Sequence, residues 1–132
     1  MKKIIILLFV VTLFLAGCGS SDASVEYDTA GGFHAKVFED CPTDYAAAAA
    51  DAIQKAAPGA DTSSMAPQDF ILTEYDNGIA SLSFQNATIN GKPFGGEIYM
   101  EMDGNNYKVH YLQIANKEYI NDGIDLSAYD KV

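Results

Sequence analysis

Residues 70–115 read FILTEYDNGIASLSFQNATINGKPFGGEIYMEMDGNNYKVHYLQIA, and short apolar runs alternate there with turn formers. Phe70 to Tyr75 leads into Asp76-Asn77-Gly78, a hairpin signal, after which Ala80, Leu82 and Phe84 alternate with Ser81, Ser83 and Gln85. Asn90-Gly91-Lys92-Pro93 makes the next turn. Beyond it Ile98, Met100 and Met102 face one way, and Glu97, Tyr99, Glu101 and Asp103 the other. Asp103-Gly104-Asn105-Asn106 turns once more, into Tyr107 to Ala115. Four consecutive strands joined by tight turns predict an antiparallel meander.

Upstream, the alternation of Phe33, Ala35 and Val37 with His34, Lys36 and Phe38 predicts a strand after Gly31-Gly32, with a shorter one at Val25 to Tyr27. Thr43 to Ala57 predicts one helix: five alanines in a row, no internal Gly or Pro, and a stop at Pro58-Gly59. Tyr45, Ala49, Ala52, Ile53 and Ala56 fall on one face of it. That face is expected to cover the methionine side of the sheet. Gly59 to Gln68 reads as a loop. Asn116 to Val132 lacks a clean period, and Tyr119-Ile120 and Ile124 to Tyr129 are expected to add only a short strand or turn before a frayed end. The expected fold class is α+β, one helix packed on an antiparallel sheet, in the order strand, helix, four-strand meander. This order resembles cystatin-like folds, and the alanine helix with the final hairpin also resembles a PepSY-type domain. Cystatin's inhibitory Gln-x-Val-x-Gly loop is absent, since Gln85-Asn86-Ala87-Thr88-Ile89 does not match it. Inhibitory activity is therefore not carried over.

The first residues have the parts of a secretory signal: Lys2 and Lys3, an apolar run from Ile4 to Ala16, then small residues. That run is too short to be a stable membrane span, which needs roughly 20 apolar residues. Leu15-Ala16-Gly17-Cys18 resembles the lipobox of bacterial lipoproteins. The resemblance implies cleavage after residue 17 and a lipid, palmitate among its acyl chains, on Cys18. Two acyl chains on one cysteine give the double signal that stable anchoring needs. The expected organisation is a signal peptide at 1–17, Cys18 with a short polar tether to residue 24, and one domain at 25–132.

Once 17 residues are removed, 115 remain, enough for one hydrophobic core. Six lysines then face 18 acidic residues, a net charge of −12 with no arginine. Such a surface argues against nucleic acid, which needs cationic partners. The scattered acids read as a solubilising surface that also keeps the domain off an anionic bilayer. With Cys18 alkylated, Cys41 is the remaining thiol, so no internal disulfide is available. Glu39, Asp40 and Asp44 surround Cys41 and disfavour its thiolate, which predicts a buried and inert cysteine.

Chemistry-bearing motifs are sparse. His34 and His110 stand in no metal-binding or Cys-x-x-Cys context, and a Cys41–His110 dyad is not demanded by spacing. Asp103, Asn105 and Asn106 fail the calcium-loop pattern at its sixth and twelfth places, where Lys108 and Ile114 stand, and read as a hairpin turn. No catalytic constellation, metal site or cofactor is expected. Glu97, Tyr99 and Glu101 share one strand face, and tyrosine suits recognition surfaces because it offers area and a polar handle at low entropy cost. This face is the candidate binding surface. The expectation is a lipid-anchored protein on a bacterial membrane, its domain outside the cytoplasm, binding an envelope protein or peptide. A small-ligand carrier with a cavity between helix and sheet, and, less favoured, an enzyme are the alternatives.

Overall fold

The computed structural model describes residues 24–132. Cys18, the expected signal sequence and all but the end of the tether lie outside the described residues. The elements are β1 (Ser24–Asp28), β2 (His34–Phe38), α1 (Thr43–Ala56), β3 (Ala60–Asp61), β4 (Phe70–Tyr75), β5 (Ala80–Ile89), β6 (Lys92–Asp103), β7 (Asn106–Ile114) and β8 (Lys117–Asn121). The described residues form a mixed α and β fold with one α-helix and one eight-stranded antiparallel sheet, and most of their regular structure is sheet. Strand order is β1-β2-β4-β5-β6-β7-β8, with β3 on the extension of β5.

The meander exists as the turns predicted, and it is longer. Asn90 (φ 53°) with Gly91 (φ 79°) links β5 to β6, and Gly104 (φ 61°) links β6 to β7. A further turn, Ala115 (φ 53°) with Asn116 (φ 67°), adds β8 as a fifth strand. The segment 59–68 is not all loop. Past a bulge between Phe84 and Ala87, the β5–β6 hairpin continues, and Ala60 and Asp61 pair with Ile89 and Thr88. Helix α1 begins at Thr43 behind Pro42, with Asp44 in its first turn and Lys55 in its last, both favourable to the helix dipole.

One buried cluster joins the helix to the sheet. Ala46, Ala49, Ala52 and Ile53 of α1 lie in it with Leu72, Leu82, Ile98, Met100, Leu112 and Ile114. Alanines let the helix axis approach closely, and Ile53, fully buried, contributes about 2 kcal/mol by leaving water. Two tyrosines fasten the helix at its margins: Tyr45 donates to Glu74 of β4 at 2.8 Å, and Tyr107 of β7 donates to Asp51 at 2.5 Å. Gly96 sits where β6 passes under the Phe84 ring and against the Gln113 carbonyl, so a methyl group there has no room.

Gly96→Ala is therefore expected to cost about 2 kcal/mol of stability, the usual penalty of overpacking, and to lower Tm by on the order of 10 °C. Gly59→Ala, where nothing lies within 4 Å of the added carbon, is the control that leaves Tm near its starting value in the same calorimetric scan.

Candidate functional site

Strand alternation sends every second side chain to the face away from α1. One row across that face runs Val25, Val37, Thr73, Ser81, Tyr99, Tyr111. A second runs Ile71, Ser83, Glu97, Gln113, Glu118. On the other side of the first row lie Tyr27, Ala35 and Tyr75.

A closing segment, residues 122–132, covers part of this face. Its 3-10 turn at Leu126–Tyr129 lowers Tyr129 onto the sheet, where the ring meets Tyr75 edge-on at 4.7 Å, stacks on Phe33 at 5.3 Å and tilts against Tyr99 at 5.4 Å. Asn77 donates to its hydroxyl at 3.1 Å. Main-chain bonds hold the rest: Ala30 N–H to Asp130, Gly31 N–H to Ala128 and Val132 N–H to Asp28. Gly31 is required because an added carbon would lie 2.7 Å from the Ala128 side chain. Ala35, Tyr75, Ile79 and Tyr129 thus form a second small core. Burial raises the Tyr75 phenol to about 12 and also raises the Tyr99 phenol.

The three residues singled out from sequence share this face but not one environment. Tyr99 lies partly beneath Tyr129. Glu97 stands just outside the closing segment, half-buried, and its carboxyl is raised by that burial and by the nearby Asp130. Glu101 accepts from His110 Nε2 at 2.6 Å. What remains open is a strip with Ile71, 56 % exposed, and Val25, 63 % exposed, at one end and Ser83, Glu97 and Gln113 along its middle.

Comparison of the chain with protein-family models, with curated proteins and with solved structures finds no match.

Both histidines bridge two carboxylates, which sequence reading missed. His34 reaches Glu26 through Nε2 at 2.6 Å and Asp28 through Nδ1 at 3.2 Å. Antiparallel pairing of β1 with β2 puts these three on one face, a consequence legible once Val25 to Tyr27 is taken as a strand partner. Those hydrogen bonds, Glu26 first, raise the His34 pKa. His110 reaches Glu101 and, through Nδ1, Asp122 at 2.5 Å. Burial alone lowers its pKa, but the two carboxylates outweigh burial and the net shift is upward.

Cys41 is buried, its Sγ 3.5 Å from the Pro42 carbonyl, and the structure does not bring it to His110, both of whose ring nitrogens are engaged. Burial, with Asp44 adding to it, raises the thiol to about 11. Among the described residues no group of three or more His, Cys, Asp or Glu is placed to hold a metal ion. Asp103 and Asn106 pair across the turn that joins β6 to β7. Surface cavities of about 210 and 250 Å³ lie beside the helix C-terminus (Ala57, Lys117, Tyr119) and beside Cys41 (Pro67, Phe70, Ile71).

A thiol near 11 is ionised on the order of a hundredfold less at pH 8 than one at 9. In a Cys18→Ser chain, Cys41 is therefore expected to react with iodoacetamide at pH 8 roughly a hundredfold more slowly than in the same chain unfolded in urea. Equal rates, followed by mass spectrometry, would contradict that placement.

Proposed function

We propose that the mature protein is a lipoprotein held on a bacterial membrane through lipid on Cys18, and that its domain is a non-catalytic binding or accessory module for a protein or peptide of the cell envelope. The observation that carries this reading is the open strip beside the closing segment. Exposed aliphatic residues at one end, with a serine, a glutamine and a half-buried carboxylate along the middle, make a surface that is apolar and polar in turn. Recognition surfaces combine those two features. We read the architecture, one helix against a long antiparallel meander, as cystatin-like.

The state of the titratable groups supports binding over catalysis. A general base needs a free lone pair within reach of a substrate, and a nucleophilic cysteine needs a lowered pKa. Both imidazoles have their nitrogens in carboxylate hydrogen bonds, and the thiol moves the opposite way. The acidic balance of the chain, with no arginine, supports a partner other than nucleic acid. No helix among the described residues is long and apolar enough to cross a membrane, so the reading of membrane attachment rests on Cys18.

Two measurements on the full chain in its host separate the parts. Mass spectrometry of the N-terminal peptide is expected to find a diacylglyceryl group on Cys18, and Cys18→Ser to release the domain from membranes. A photo-crosslinker at Ser83, inside the strip, is expected to capture one envelope protein that the same group at Ala47, on the exposed side of α1, does not. Ile71→Asp should cut that capture at least about tenfold, the cost of losing one apolar anchor. Equal capture from both positions would remove the strip as the site.

A further inference from the structure

Both histidines bridge carboxylates, but His110 does so across three parts of the chain. It occupies the bulge where β7 slips against β6 between Tyr99 and Met100. Glu101 approaches from β6, and Asp122 from the turn that follows β8, at the root of the closing segment. The imidazole is 14 % exposed, while the Glu101 and Asp122 side chains are 47 % and 37 % exposed, so the ring is shielded and its two acceptors reach water. A neutral imidazole has one N–H and one lone pair. Two carboxylate oxygens at 2.6 and 2.5 Å need two donors, so this geometry belongs to the imidazolium.

We propose that His110 is a proton-operated latch: protonated, it ties the root of residues 122–132 to the sheet, and on losing its proton it lets that root loosen over the aromatic face. The neutral ring can donate to Glu101 or to Asp122, and the other carboxylate then meets a lone pair. Lys108 and Asp103 are charged groups on the same face of that hairpin, and Lys108 is the one that acts on Asp122. It pairs with Glu101 across the β6–β7 ladder and its charge favours the Asp122 anion. Deprotonation therefore weakens the attachment without turning it into open repulsion. The main-chain bond from Asp122 N–H to the His110 carbonyl, 3.0 Å, is the contact that then opens and closes more often. At the far end Tyr129 is held by Asn77 and aromatic rings, which do not titrate in this range. The latch thus acts on the root and leaves the anchor in place.

The direction in pH follows from the upward shift of His110. Its contribution is complete below the unfolded histidine value of about 6.5 and is lost as pH rises through the folded value. The test is amide exchange on the full chain from pH 5.5 to 9, corrected for intrinsic exchange, alongside the NMR titration of both imidazoles. Protection at Asp122 is expected to fall by roughly fivefold or more, the lower end of ordinary site-to-site coupling, with a midpoint that coincides with the His110 ring and lies above 6.5. Protection at Leu82 in the main core should hold. In His34→Gln, whose imidazole lies at the opposite edge of the sheet, the change at Asp122 should persist; in His110→Gln it should vanish. A His110 midpoint at or below 6.5, unchanged Asp122 protection while the ring titrates, or loss of the effect in His34→Gln would each overturn the latch.

Discussion

A sheet has two faces, and a single helix can cover only one of them. That constraint governs the rest of this structure. Helix α1 satisfies it on one side through alanines and Ile53 set against Leu72, Leu82 and Met100. On the other side no second α-helix stands among the described residues. The chain brings back residues 122–132 and lowers Tyr129 among Phe33, Tyr75 and Tyr99. The cover is narrower than the sheet, and the part left open is the strip we propose as a binding surface. Core formation and the proposed binding surface are thus two results of one shortage of covering elements.

The acidic character of the chain also has a local meaning. Four carboxylates are drawn to the two imidazoles, and Asp51 is lowered by its hydrogen bonds from Tyr107 and Lys55. Pairs on an open surface contribute little to stability. The His110 group differs because its ring is shielded and because it joins segments far apart in sequence. Its two carboxylates gain from the imidazolium what single lysines at the surface would not provide.

Most of the sheet was legible from residues 70–115 because its turns use Gly and Asn at the positive φ values those residues tolerate. The turn before β8 was not, since Ala115 adopts φ 53° without being a typical turn former. Ala60 and Asp61 read as loop because a two-residue strand has no period to detect, and its partner lies beyond a bulge at Asn86. The shared face of Glu97, Tyr99 and Glu101 followed from alternation. Their separate environments did not, because Tyr129 and Asp122 reach them from a segment without periodicity. Tertiary closure of that kind leaves no local pattern.

The bridge between Thr29 and Lys131 joins residues 102 positions apart, and Val132 N–H closes onto Asp28 beside it. Loop closure over such a span is entropically slow compared with zipping a meander of adjacent hairpins. The main core can therefore assemble from neighbouring strands while the aromatic core waits for its distant partner. Until Tyr129 arrives, Tyr75 and Tyr99 stand in water on a sheet face with one side uncovered. The order of folding is thus written into which residues meet last.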